Sequence, residues 1–79
     1  MSLKYLLMKL AEEAGEVVVA AVKHQLHRTP GTRRDLELEL GDLYGVVNLL
    51  CEAERLSAAT ILTQSEERYA RERKRASSR

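Results

Sequence analysis

Glu12, Glu13 and Glu16 set three carboxylates into the otherwise apolar stretch from Leu10 to Val18, with no cation inside it. On a helix Glu13 and Glu16 are three apart and Glu12 and Glu16 four apart, so the three side chains crowd neighbouring positions. Like charges at that spacing repel by about 0.2–0.5 kcal/mol per pair even when exposed. A second pair, Glu39 and Asp42, repeats the i, i+3 geometry among leucines, and neither has Lys or Arg at i+3 or i+4 to form a surface ion pair. Two such pairs brought together on antiparallel helices make an oxygen-rich pocket. That donor set suits a hard cation such as Mg²⁺, and the lack of a close His or Cys argues against zinc. Mg²⁺ keeps several waters and binds through carboxylates together with substrate phosphates, so the pocket points to phosphoryl or phosphoanhydride chemistry.

The elements that must position these groups are helices. Leu3, Leu6, Leu7, Leu10, Ala14, Val17, Val18 and Ala21 recur at steps of three and four, predicting an amphipathic helix from about Ser2 to Gln25. The sequence Arg28-Thr29-Pro30-Gly31-Thr32 breaks it, and Thr32 is expected to begin the next helix with Asp35 in the capping-box position. From Arg33 to Arg55, Leu36, Leu40, Leu43, Val47 and Leu50 alternate steps of four and three, as in a coiled-coil seam. Leu38, Val46, Leu49 and Tyr44 add apolar surface away from that seam, which calls for a second neighbour, expected from another subunit. Gly41 and Gly45 would each cost about 1 kcal/mol in mid-helix relative to Ala, so close packing or a bound group is expected to offset them. Ser57 is the predicted N-cap of a third helix carrying Ile61, Leu62, Ser65 and Tyr69. No strand pattern and no internal repeat is present. The expected fold class is all-α: an antiparallel helical hairpin plus a third helix, completing a four-helix-type bundle by oligomerisation, in one domain over 1–79 with about 70–79 as a frayed basic tail.

Composition narrows the setting. At 79 residues a single core gives only about 3 to 5 kcal/mol, which favours self-association. One cysteine, Cys51, excludes an intrachain disulfide and a Cys-based zinc site, and fits a reducing, cytoplasmic location. No apolar run approaches a membrane span, so no membrane partner is expected. Three tyrosines with no Phe or Trp give no stacking surface for single strands, and the basic end, from Arg68 through Arg71, Arg73, Lys74 and Arg75 to Arg79, is expected to be solvated or partner-facing rather than a nucleic-acid arm. His24 and His27, one turn apart, are expected to sit in solvent at a helix C-terminus and not to hold a metal. Lys23 and Tyr44 are expected to be surface and packing residues.

Lys9-Leu10-Ala11-Glu12-Glu13-Ala14-Gly15-Glu16-Val17 and Glu39-Leu40-Gly41-Asp42-Leu43-Tyr44-Gly45-Val46-Val47-Asn48-Leu49, with their spacer, resemble the signature of the MazG-like all-α nucleoside triphosphate pyrophosphohydrolases. The resemblance runs from about Leu10 to Tyr69. It implies a helical bundle that assembles as a homodimer or dimer of dimers, and Mg²⁺-dependent hydrolysis of a (d)NTP to the monophosphate and pyrophosphate, with Mn²⁺ as a substitute ion, in nucleotide-pool housecleaning. It implies Glu13, Glu16, Glu39 and Asp42 as metal ligands, and Glu12, with Glu13, as the catalytic carboxylates that support the site or activate water. Asn48 matches a nucleotide-contacting position of the family. An Asn and a Lys that members often carry on the last helix align with Glu66 and Arg68, so the first is lost and the second changed. Arg33, Arg34 and Arg68 are the expected phosphate contacts. The phosphoribosyl-ATP pyrophosphohydrolases share the acidic pattern but have His where this chain has Gly45, and form the alternative enzyme reading. A non-catalytic, metal-binding helical dimer or regulator is the alternative of a different class.

Overall fold

Ser2 starts the first helix by accepting a hydrogen bond from the Tyr5 backbone N–H at 3.1 Å on its Oγ. In the computed structural model, which describes residues 1–78, helix α1 then runs Leu3–His27, α2 runs Pro30–Glu54 and α3 runs Ala58–Ser77. No strand occurs among the described residues, and the fold is all-α. The three β-branched valines at 17–19 do not interrupt α1, because the apolar period continues through them.

The turn between α1 and α2 is tighter than the sequence suggests. Arg28 adopts the left-handed conformation at φ 47° and donates its N–H to the His24 carbonyl, ending α1. Thr29, not Thr32, is the N-cap of α2. Its Oγ1 accepts from the Thr32 N–H while the Thr32 Oγ1 accepts from the Thr29 N–H, both at 3.0 Å. Pro30 can occupy the first helical position because it lacks only an N–H that would have no helical partner there. Thr32 thus takes the role that a Glu or Gln plays in the usual reciprocal cap, and Asp35 has no part in it. A second left-handed residue, Arg55 at φ 52°, ends α2, and Ser57 caps α3 as expected.

So short a connection makes α1 and α2 antiparallel neighbours, and they form the one extensive helix pair. At about 100° per residue, Leu6, Leu10, Glu13, Val17, Ala20 and His24 share one stripe of α1, and Thr32, Leu36, Glu39, Leu43, Val46 and Leu50 share one stripe of α2. These are the positions that the hairpin covers, wholly or in part. The seam of α2 therefore passes through Glu39, and Leu40, which the apolar spacing assigns to it, lies at its edge with 39% of its surface exposed. Val46 and Leu49 are partly covered within the chain, so of the four residues expected to add apolar surface away from the seam Leu38 and Tyr44 are the exposed ones.

Leu6, Ala20 and Leu50 are the buried apolar residues, and α3 contributes none. The two antiparallel helices lie side by side as a single layer. The radius of gyration, 14.8 Å, exceeds the about 12 Å of a compact chain of this length. The hairpin is thus a plate with two faces. Glu12, Glu16, Lys23, Asp35 and Asp42 lie on one; Leu3, Leu7, Ala14, Val18, Ala21, Leu40, Tyr44 and Cys51 lie on the other. Val18 is 61% exposed and Tyr44 69%. A Cβ added at Gly41 or Gly45 meets nothing within 4 Å, so the close approach expected there is not made within the chain.

Helix α3 corrects the expected frayed end. It continues through Ser77, with Glu72 held by Arg68 at 3.2 Å and Arg75 at 3.0 Å, and Arg73 donating to the Tyr69 hydroxyl. Good helix formers and i, i+3 or i, i+4 ion pairs sustain a helix that lacks an apolar core contact. Arg79 lies outside the described residues.

Because two reciprocal hydrogen bonds close the hairpin turn, Thr29→Ala should lower the free energy of unfolding by about 1 to 2 kcal/mol. Urea denaturation followed by circular dichroism measures this, and an unchanged midpoint would show that the cap is dispensable.

Candidate metal centre

Glu13 and Glu39 meet across the hairpin seam because each replaces an apolar residue at a position the helix period directs inward. Leu6, Leu10, Val17 and Ala20 surround the first along its stripe, and Leu36, Leu43 and Val46 the second. One carboxylate oxygen of each, Glu13 Oε2 and Glu39 Oε2, is covered and has no hydrogen-bond partner. Asp42, one turn beyond Glu39, brings a ligand oxygen within 4.8 Å of both, and Glu12, Glu13 and Glu16 form a second such set. Glu13 belongs to both sets and joins the two ridges into one cluster.

The electrostatics follow from this crowding. Burial pushes the Glu13 carboxyl above the usual carboxylate range, and the negative charges of Glu16, Asp42 and Glu12 add to the rise. Glu39 is raised chiefly by its Glu16 neighbour, which it can meet through a hydrogen bond only while carrying a proton, and then by burial and by the charges of Glu16, Asp42 and Glu13. The nearby ammonium does little to relieve them: Lys9 Nζ is 3.3 Å from Glu12 Oε2 and lies 5.8 Å from the Tyr5 ring centre. Two covered oxygens without donors, inside a set of carboxylates that repel one another, are the donor set of a hard cation and fit Mg²⁺.

The other expected site residues lie elsewhere. Asn48 lines a groove of about 350 Å³ between α2 and α3, with Tyr44, Val47, Cys51, Ile61 and Leu62. Arg33 lines a pocket at the hairpin turn with His24 and Arg28. Arg34 is exposed on α2, and Arg68 is engaged with Glu72. None of these four lines the groove beside the carboxylates, whose walls are Glu16, Val19, Ala20, Lys23, Asp35 and Glu39. Lys23 and Asp35 were not expected there; their spacing from Glu16 and Glu39, two turns and one turn along the same faces, is the signal that places them. His24 is half-buried rather than solvated, its Nδ1 2.9 Å from Thr32 Oγ1.

A family model of the MazG nucleotide pyrophosphohydrolase domain matches residues 1–75, nearly the whole chain. The chain belongs to the MazG nucleotide pyrophosphohydrolase family. No curated protein and no solved structure matches it significantly. The MazG match covers both acidic ridges and most of α3, and it agrees with nucleotide pyrophosphohydrolase activity in general. No helix among the described residues is long and apolar enough to cross a membrane.

Raised carboxyl pKa values have a defined consequence for stability. Glu13 and Glu39 bind protons more tightly in the folded chain than in the unfolded one, so their contribution is most favourable when both are protonated. It is lost as pH rises from the ordinary glutamate value through the raised one. The metal-free protein should therefore melt at a higher temperature on acidification from neutral pH towards the ordinary glutamate range, before wider acid unfolding sets in. Saturating Mg²⁺ should remove that gain, and Glu13→Gln with Glu39→Gln should flatten the profile. Calorimetry across pH on both proteins provides the check; a metal-free profile that falls throughout that range would contradict it.

Proposed function

We propose that the chain is a Mg²⁺-dependent nucleoside triphosphate pyrophosphohydrolase, converting a (d)NTP and water to the monophosphate and pyrophosphate. The observation that carries this reading is the pair of covered, unpartnered carboxylate oxygens facing each other across the seam of a MazG hairpin. Glu13, Glu16, Glu39 and Asp42 would hold the ion, with Mn²⁺ as a substitute. When bound, it neutralises phosphate charge and lowers the pKa of water.

The residues of the chain supply the rest. Glu12 stands beside Glu13 and Glu16 with its Oε2 already oriented by Lys9, and is the group placed to take the proton of the attacking water. Water oxygen bonds to the α-phosphorus as the bond to the bridging oxygen breaks, and the electron pair leaves on pyrophosphate. Incubating the protein with a panel of dNTPs and NTPs and Mg²⁺, and detecting pyrophosphate and monophosphate together, tests the reaction; release of inorganic phosphate alone would refute it.

The same reading includes assembly as a homodimer or dimer of dimers. A total accessible surface of 6585 Å² is well above the about 4800 Å² expected for a compact protein of 8.9 kDa, and α3, which borders the apolar face only along α2, leaves Leu3, Leu7 and Val18 of α1 about half exposed or more. A second copy stacked on that face completes a four-helix arrangement. Sedimentation equilibrium should show at least a dimer at micromolar concentration, and Val18→Asp, on the exposed apolar face, should shift it towards monomer. A wild-type monomer at that concentration would refute assembly.

Asp42→Asn separates a ligand from a scaffold residue. Neutralising one member of a repelling cluster should leave the metal-free protein equally stable or more so, whereas a structural carboxylate would lose about 1 to 3 kcal/mol on becoming an amide. Under saturating Mg²⁺ the same change should nearly abolish pyrophosphate release. Lowered metal-free Tm with retained turnover would assign Asp42 to the scaffold.

A further inference from the structure

Two lysines lie on the acidic face of the plate, one on each side of the carboxylates along α1. Lys9 precedes them and is committed to Glu12 at 3.3 Å. Lys23 follows them, two turns beyond Glu16 and about 10 Å further along the axis. It lines a groove of about 220 Å³ with Val19, Ala20 and Asp35, whose other walls are the cluster members Glu16 and Glu39. No ion pair among the described residues includes Lys23, although Asp35 lines the same groove. Its helix is fixed locally, since the next residue, His24, is tied to Thr32 of α2 at 2.9 Å.

We propose that Lys23 binds the β- and γ-phosphates of the substrate, the pair that leaves as pyrophosphate, and so sets the polarity of the nucleotide along the hairpin. This rests on the pyrophosphohydrolase reading and extends it. The reacting α-phosphate lies at the carboxylates, and the remaining phosphates run along the groove towards the hairpin turn. A lysine side chain extended from α1 meets a diphosphate reaching out from the cluster. An ammonium there takes negative charge that grows on the departing oxygens as the anhydride bond breaks. The nucleoside then lies towards the opposite end of the plate, where α1 begins and α2 ends. A lysine suits this task better than a centrally placed cation. Within the cluster an ammonium would occupy the carboxylates itself; two turns away it leaves them free and still meets the polyphosphate.

Titration calorimetry with Mg²⁺ and inorganic pyrophosphate, and separately with a nucleoside monophosphate, on wild type, Lys23→Ala and Lys23→Arg gives the test, alongside turnover and metal-free Tm. Lys23→Ala should lose roughly tenfold or more in pyrophosphate affinity, the scale of a charge-assisted hydrogen bond, with monophosphate affinity unchanged. Lys23→Arg should keep most of it, and metal-free Tm should not fall in either variant. Unchanged pyrophosphate affinity in Lys23→Ala overturns the assignment, as does an equal loss for both ligands. A lowered metal-free Tm with pyrophosphate affinity retained would make Lys23 a structural partner of Asp35 and also overturn it. A wild type that neither releases nor binds pyrophosphate would overturn the pyrophosphohydrolase reading as well, whereas a competent wild type beside an equally competent Lys23→Ala overturns the Lys23 assignment alone.

Discussion

The structure turns on charge crowding at the hairpin seam: Glu16 and Asp42 press on Glu13 and Glu39, two carboxylates at seam positions that would otherwise carry leucine or valine. Their unpartnered oxygens cost desolvation and gain nothing within the chain. The hairpin is held at the two ends of the seam instead. Leu6 and Leu50 are buried where α1 begins and α2 ends; Ala20, the His24 bond to Thr32 and the reciprocal Thr29 and Thr32 cap close the other end. The charged middle is therefore clamped from both sides, which keeps the carboxylates at a separation that they would relax if the helices were free to splay.

That arrangement limits what a single chain can stabilise. Three buried apolar side chains give little hydrophobic free energy against the entropy of ordering three helices. The apolar face carrying Leu3, Leu7, Val18 and Tyr44 is about half exposed or more, and α3, which buries none of its own residues, borders the same side of α2 through Ile61 and Leu62. The carboxylate cluster and the incomplete core are thus two sides of one hairpin: carboxylates occupy part of the seam, and apolar surface that does not enlarge the core points away from it. Gly41 and Gly45 fit this picture, since their cost of about 1 kcal/mol each has no compensation inside the chain.

Much of this is written in the sequence, and the errors share a cause. Helix identity, the hairpin break, the Ser57 cap and both acidic ridges follow from period, turn chemistry and spacing. The α2 seam departs from the apolar spacing at two positions, running through Glu39 and Val46 rather than Leu40 and Val47; a pattern built on hydrophobic residues cannot register a carboxylate at a core position, and it slips by one residue at both. Thr32 looked like a cap because Ser and Thr both begin and reinforce helices, and only geometry distinguishes the N-cap from the residue three later. A run of charge suggests fraying on composition alone, but Arg, Glu and Lys are good helix formers and Glu72 bridges two arginines, so the helix continues through Ser77. Asn48 and the arginines carry family or charge signals that do not encode the face on which a side chain lies, so only the fold could separate them from the carboxylate groove.

The distribution of cations explains why the cluster keeps its charge. A lysine or arginine three or four residues from each carboxylate would neutralise the ridges at low cost; Lys9 pairs with Glu12, and of the charges acting on Glu13 its relief is the weakest. The covered oxygens of Glu13 and Glu39 have no partner, and the sequence offers no cation within reach along their own helices on the C-terminal side before Lys23 on α1 or Arg55 after α2. The remaining ways to lower the repulsion are a proton or an external cation. Protonation is already favoured by the raised pKa values, but a proton relieves one carboxylate at a time, and a divalent ion can be shared by several oxygens from both helices. Since those oxygens come from α1 and α2 alike, such an ion would be held by both helices, and would offset the crowding at the part of the seam that carries carboxylates.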